Sequence, residues 1–235
     1  MNLVVFLPGE DCTRLVRGDR RYAHLVSVLR VRRGDVVRVG VLGGRMGEGR
    51  VEEVGRDEVR LSCRFDRDPP PPLPLVLLVA AVRPIVGRRL LRDLAALGVE
   101  RVVVFPARLS ERSYLESTLW KGGEWERCLV EGAEQGVTTR VPEVVRVRSL
   151  EEGVGVCGEG VRYVCDEAVG EGGRVARAGR YVVAVGPERG WTEEERRVLA
   201  EEGFVRLSLG PRMLRAEVAC HVAVGRVAEG AGWWG

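Results

Sequence analysis

Tyr181-Val182-Val183-Ala184-Val185-Gly186-Pro187-Glu188-Arg189-Gly190-Trp191-Thr192-Glu193-Glu194-Glu195-Arg196 is a change of periodicity within sixteen residues. Five consecutive apolar positions, Tyr181 to Val185, predict a strand buried on both faces. Gly186-Pro187 and Gly190 stop that strand in a turn, because proline withholds a backbone donor and glycine accepts torsions a Cβ forbids. Thr192 followed three residues later by Glu195 is a capping-box signature, so a helix starts there. Strand, tight turn and helix make half of an α/β unit. Its turn falls at the carboxyl end of a strand, where open α/β sheets bind their ligands.

The same design recurs downstream in Val205 to Ala219, V-R-L-S-L-G-P-R-M-L-R-A-E-V-A, where a strand read as Val205 to Leu209 ends in Gly210-Pro211 and a helix opens near Ala216. Two successive Gly-Pro strand ends predict neighbouring loops at one edge of the sheet. Upstream, Leu75 to Val82 reads as a buried strand, Arg88 to Leu97 as an amphipathic helix closed by Gly98, and Arg101 to Phe105 as a strand. Trp125 to Gln135 follows as a helix, Tyr163 to Asp166 as a strand, and Ala216 to Val227 as the last helix. Alternation of this kind predicts an α/β fold with a mostly parallel sheet covered on both faces.

Asp68-Pro69-Pro70-Pro71-Pro72-Leu73-Pro74 favours an extended polyproline spacer, so residues 68–74 are read as a linker between a domain at 1–67 and one at 75–235. Before it, Val36 to Val41, Gly49 to Val54 and Val59 to Phe65 are short β-branched segments separated by turn signals. That spacing suits a small β-barrel.

Charge restricts the ligand of the first Gly-Pro turn. A phosphate-binding turn presents a bare helix N-terminus to its anion, but Glu188, Glu193, Glu194 and Glu195 crowd this one. Neither a G-x-x-x-x-G-K-[ST] nor a G-x-G-x-x-G pattern is present. A ligand with an adenosine, a cationic centre and no phosphate fits, and S-adenosylmethionine (SAM) has those properties. Arg212, Arg215 and Glu217 in the second loop suit a phosphate or a target base; the alternative for Arg215 and Glu217 is a surface salt bridge with each other.

The chain has 235 residues, 45% hydrophobic and 30% charged, enough for one substantial core plus a small satellite. No apolar run is long enough to span a membrane and no basic region precedes the N-terminal apolar residues, so the expected location is the cytoplasm. Cys12, Cys63, Cys128, Cys157, Cys165 and Cys220 are scattered and only two histidines are present; they read as buried thiols, with no metal site. Residues 1–67 hold 14 arginines against 10 acidic residues, an excess that suits RNA. Arg30, Arg32 and Arg33 with Arg14, Arg17, Arg20 and Arg21 are the candidate patch, and a solvated charged face is the competing reading. His24, beside Tyr22, Leu25 and Val28, suits a structural role better than a chemical one, and His221, among Val218, Val222 and Val224 of an apolar helix, is read as core. Trp233 and Trp234 suit packing across a dimer interface or onto their own domain.

The segments V-G-P-E-R-G-W-T-x-x-E and L-S-L-G-P-R-M-L-R-A-E-V-A resemble the I-G-P-E-G-G-[FW]-[ST]-x-x-E and L-G-x-R-I-L-R-x-E-T-A signatures of the ribosomal RNA small subunit methyltransferase E family, in the SPOUT superfamily. Further similarity lies in His24 to Arg30 with Gly34-Asp35, in Leu94 to Val99 with Pro106 and Glu111-Arg112-Ser113, and in Glu131 to Pro142. The resemblance therefore runs in order along nearly the whole chain. It implies a SPOUT-type parallel sheet with a C-terminal trefoil knot, a PUA-like N-terminal barrel, and a homodimer that needs no metal. It also implies transfer of a methyl group from SAM to N3 of a uridine in small-subunit (16S) ribosomal RNA.

Carried over by position, Val185, Gly186, Pro187, Glu188, Gly190, Leu207, Leu209, Gly210, Met213 and Leu214 would hold SAM. Arg215 and Glu217 would face the target base, and His24, Arg30, Arg32, Arg83, Arg112, Arg140 and Arg212 would contact RNA. Which of Arg215 and Glu217 carries the proton chemistry stays open. Arg189 replaces the family's second glycine, Val218 its threonine, Arg83 its usual lysine, and Gly136 to Thr139 precede Arg140 in place of an earlier basic residue. These departures leave two alternatives, a SAM-dependent enzyme acting on another RNA such as transfer RNA, and a non-catalytic RNA-binding paralogue.

Overall fold

A computed structural model describes residues 1–166 and 175–233, which form two compact units. The first comprises Met1–Pro71 with Ala95–Gly98 and Leu129–Val141. Its elements are β1 (Val4–Phe6), β2 (Arg14–Val16), α1 (Arg20–Ala23), a π-helical turn His24–Leu29, β3 (Val36–Val41), β4 (Met46–Val54) and β5 (Glu58–Arg67). The strands form one curled sheet in the order β1-β3-β4-β5-β2, antiparallel except for β1 on β3. Two register shifts in the β4–β5 pair, at Met46/Gly47 and Val51/Glu53, supply the curl. At the first shift a Cβ on Gly47 would lie 1.7 Å from the Arg64 carbonyl oxygen, so glycine is obligatory. The concave side buries Val4, Phe6, Leu15, Leu25, Val39, Val51, Val59 and Leu61.

Arg14, Arg17, Arg20 and Arg21 do not form an open cationic patch. Arg14 lies 3.9 Å from Glu58, Arg17 3.7 Å from Asp57, and Arg21 is clasped by Glu10 and Asp19 over the Phe6 ring. Burial alone would raise the Glu10 and Asp19 carboxyls, but the Arg21 hydrogen bonds override it and hold both below the ordinary range. Arg20 reaches Glu134, whose side chain is 1% exposed, at 2.7 Å. Burial pushes the Glu134 carboxyl up and Arg20 pulls it back. Arg20→Ala should therefore cost about 2 kcal/mol at neutral pH, the penalty of a buried carboxylate stripped of its partner. The deficit should fade as the pH falls through the Glu134 carboxyl's raised value and protonation removes the charge. Urea unfolding of both proteins across that range checks both statements.

The second unit comprises Pro72–Leu94, Val99–Cys128 and the described residues from Pro142 onward. Its elements are β6 (Leu73–Ala80), α2 (Pro84–Leu97), β7 (Val99–Phe105), α3 (Glu124–Gly136), β8 (Glu143–Arg146), α4 (Leu150–Cys157), β9 (Val161–Cys165), β10 (Tyr181–Val185), α5 (Glu193–Glu201), β11 (Val205–Arg206) and α6 (Ala216–Ala231). The last residues of α2 and α3 belong to the first unit. All six strands are parallel, in the order β11-β9-β10-β6-β7-β8. The chain builds outward from β6 through β7 to β8, then returns to the other side. The reversal makes a switch point beside β6, where strand ends leave a crevice.

β6 begins inside the proline-rich run. Pro74 is tolerated because it precedes the β10 register, which starts at Leu75, and falls in an irregularity of the β7 register between Leu73 and Val76. The core includes Val76, Leu78, Val103, Phe105, Val154, Val182, Ala184 and Leu199. Its central strands are apolar on both faces, as expected for a parallel sheet.

The structure corrects several expectations. β11 is two residues long and ends at Arg206, although Leu207 N–H still bonds the Val164 carbonyl at 2.9 Å. Because β9 separates β10 from β11, the two Gly-Pro loops are not on adjacent strands. Cys12 and Cys63 are half-buried; the other four cysteines are buried and none of the six is in a disulfide. Burial pushes the Cys63 thiol up to about 11 and Cys165 to about 12, so neither is a ready nucleophile. His221 is half-buried rather than core, with Nε2 3.0 Å from Asp93. Trp233 packs edge-to-face on Tyr181 at 5.3 Å, within its own unit; Trp234 lies outside the described residues. Among the described residues no helix is long and apolar enough to cross a membrane.

Candidate active site

The carboxyl ends of β7, β9 and β10 are tied together by two buried side chains, Trp191 and Glu195. Trp191, directly after Gly190, stacks on Phe105 at 5.9 Å and donates its indole N–H to the Cys165 carbonyl at 2.9 Å. A Cβ on Gly186 would come within 2.9 Å of that ring, so the first glycine of the turn is fixed by the tryptophan. Glu195 completes the predicted capping box on Thr192 and, 4% exposed, accepts the Arg108 backbone N–H at 2.9 Å with its other oxygen. One carboxylate thereby both starts α5 and anchors the loop after β7. Ser110 donates to the Ala81 carbonyl at 3.1 Å, fixing the loop after β7 to the one after β6.

These loops wall a cleft of about 500 Å³ lined by Arg83, Val86, Leu109, Ser110, Glu111, Tyr114, Glu188, Arg189, Arg215 and Glu217. Arg83 lies between β6 and α2, directly before the helix, and Arg83 Nε donates to the Tyr114 hydroxyl at 3.4 Å. Arg215 is the exposed residue before α6, its side chain making no capping bond, and Glu217 lies in the first turn of that helix. Arg215 and Glu217 do not pair, and Arg83 and Arg189 have no carboxylate at ion-pair distance among the described residues. A site with three guanidiniums and three carboxylates held apart is set to meet a polar ligand of its own. Its arginines suit phosphate or a developing oxyanion, and its carboxylates suit hydroxyls, a proton or a cationic centre.

Val185 ends β10 and is buried with Gly186 and Pro187, while Glu188 is exposed on the cleft wall. Gly190 closes the turn at φ 74° with its N–H on the Pro187 carbonyl at 2.9 Å. Leu207 is buried, Leu209 and Leu214 are half-buried, Gly210 takes φ 103°, and Met213 is 74% exposed. Glu188 alone of the ten borders the cleft, and the other nine run along the two Gly-Pro loops. Arg112 and Arg212 are exposed in the same unit but do not line the cleft.

His24, Arg30, Arg32 and Arg140 belong to the first unit. There His24 borders a separate pocket of about 300 Å³ with Leu29, Val36 and Arg38. Burial lowers the His24 pKa, and its Nε2 has no hydrogen-bond partner among the described residues. Arg30 takes a left-handed φ of 53° that caps the π-helical turn, which fixes its backbone and leaves its guanidinium exposed. Sequence reasoning missed Tyr114, which follows the quoted Glu111-Arg112-Ser113, and missed Trp191 as the keystone of the turn. Among the described residues no cluster of three or more histidine, cysteine or acidic side chains could hold a metal ion.

Comparison with known proteins places this geometry. Residues 69–228 match the RNA methyltransferase domain family. The chain is 30% identical to the ribosomal RNA small subunit methyltransferase E of Treponema pallidum, covering 100% of this chain and 93% of that one. It is 27% identical to ribosomal RNA small subunit methyltransferase E 1 of Borreliella burgdorferi, over 93% and 94% of the two chains. The fold is similar to that of the ribosomal RNA small subunit methyltransferase E of Neisseria gonorrhoeae bound to S-adenosyl methionine, with TM-score 0.70, 21% identity and 97% of each chain covered. A profile match over more than half the chain and a full-length relative at that identity agree: the chain belongs to the RNA methyltransferase domain family, among the ribosomal RNA small subunit methyltransferase E proteins.

Proposed function

We propose that this chain transfers the methyl group of SAM to N3 of a uridine in small-subunit ribosomal RNA. The observation that carries the reading is the cleft at the switch point of the sheet, where Arg83, Arg215 and Glu217 meet Glu188 of the first Gly-Pro turn. Val185 to Glu188 with Gly190 in the first Gly-Pro loop, and Leu207, Leu209, Gly210, Met213 and Leu214 in the second, are the SAM-binding residues. SAM, when bound, supplies an electrophilic methyl group. Glycine at 190, with open space where a Cβ would stand, lets the cofactor approach the backbone, and the acidic helix start disfavours a phosphorylated nucleotide in its place.

The protein's own part is to make the uridine imide nucleophilic. The Arg215 guanidinium stabilises the negative charge that develops on the base as its N3 proton leaves, and the Glu217 carboxylate accepts that proton. Arg83, Arg112 and Arg212 hold RNA around the cleft. The N-terminal unit is the PUA-like RNA-binding domain, with His24, Arg30, Arg32 and Arg140 on RNA. In this reading the catalytic domain is a SPOUT domain with a trefoil knot in its C-terminal third, acting as a cytoplasmic homodimer without metal. Titration calorimetry with SAM tests the cofactor assignment: saturable heat at micromolar protein is expected, and its absence overturns the reading.

A further inference from the structure

Arg189 projects from the turn after β10 into the cleft. It is exposed, and no hydrogen bond or ion pair holds its guanidinium among the described residues. The turn that carries it is nevertheless fixed, by the Gly190-to-Pro187 hydrogen bond of 2.9 Å and by buried Trp191 two residues on. A long cation on a rigid mount, with nothing to bind in its own chain, is placed for a ligand.

The charge balance of the cleft says which ligand. Glu111, Glu188 and Glu217 face it, against Arg83, Arg189 and Arg215. Without Arg189 the lining carries more carboxylates than guanidiniums and repels a polyanion; with Arg189 the lining is neutral. A planar guanidinium fork also matches two phosphate oxygens at once. We propose that Arg189 binds the phosphodiester flanking the nucleotide that enters the cleft, a contact that positions the strand without reading its sequence. The inference rests on the reading that the cleft takes RNA.

The test uses the full chain, fluorescein-labelled single-stranded oligouridine and a series of salt concentrations, with SAM affinity measured calorimetrically on the same preparations. For Arg189→Gly we expect severalfold weaker RNA binding at low salt and a log Kd against log salt slope shallower by about 0.7, the loss of one single-strand phosphate contact. Arg189→Lys keeps the slope, Arg189→Glu weakens binding further, and SAM affinity stays unchanged in all three. An unaltered slope in Arg189→Gly, a lysine variant that behaves like the glycine variant, or a loss confined to SAM affinity overturns the proposal. If the parent protein fails to bind SAM while the slope still responds to Arg189, the methyltransferase reading falls and this contact stands.

Discussion

Arg215→Ala is expected to slow methyl transfer by about 100- to 1,000-fold, the usual cost of removing a donor that stabilises a developing anion. SAM affinity and stability should stay where they are. The asymmetry follows from the geometry. Arg215 is exposed at the mouth of α6, makes no capping bond and has no ion-pair partner among the described residues, so truncating it leaves no buried group unsatisfied. Such surface changes ordinarily move stability by less than about 0.5 kcal/mol. Arg215→Lys should recover only part of the rate, since an ammonium restores charge without the planar fork. Single-turnover transfer from labelled SAM separates these cases, and an alanine variant within a few-fold of the parent rate would remove Arg215 from the chemistry.

The second large effect is structural. Trp191→Ala should destabilise the protein by about 3 to 5 kcal/mol, the range for emptying a buried tryptophan site. Trp191 is 4% exposed, stacks on Phe105 at the end of β7 and holds the Cys165 carbonyl at the end of β9. Removing it opens a cavity under the Gly186-Pro187 turn and unties the strand ends, so SAM affinity should fall with stability. Trp191→Phe keeps a ring on Phe105 but strands the Cys165 carbonyl, and should cost about 1 to 3 kcal/mol. Denaturant midpoints for the two variants report the difference, and an alanine variant as stable as the parent would show that the turn does not depend on this residue.

Features governed by local physics were readable from the residues. β10 spans Tyr181–Val185 as its apolar run predicts, β3 spans Val36–Val41, and the Thr192/Glu195 capping box closes as its spacing requires. These depend on periodicity, turn chemistry and caps, which act over a few residues. β8 and α4 escaped notice for the same reason in reverse. Glu143–Arg146 carries only two apolar residues, and the helix Leu150–Cys157 contains two glycines. One of them, Gly153, is there because a Cβ would lie 2.8 Å from Leu78 of the sheet, a tertiary demand no local pattern displays.

The same divide runs through the site. Glu188, Arg83, Arg215 and Glu217 were named from the motifs, and the fold brings them to one cleft. That β9 lies between the two Gly-Pro strands was not legible, because strand order depends on pairing between distant segments. The dual role of Glu195 and the Arg83–Tyr114 contact arise likewise from chain segments 87 and 31 residues apart. The arginines at 14, 17, 20 and 21 show the limit of charge counting. Their sum indicated a patch, and their partners Glu58, Asp57, Glu134, Asp19 and Glu10 neutralise it.

The central claim is tested most directly by incubating the protein with deuterium-labelled SAM and unmodified small-subunit ribosomal RNA, both as extracted RNA and as assembled subunits, followed by nucleoside mass spectrometry. The expected result is label in N3-methyluridine alone, appearing about 100- to 1,000-fold more slowly when Arg215→Ala replaces the parent protein. Label in another nucleoside, label in transfer RNA supplied in parallel but not in ribosomal RNA, or no transfer to any of these substrates would contradict it.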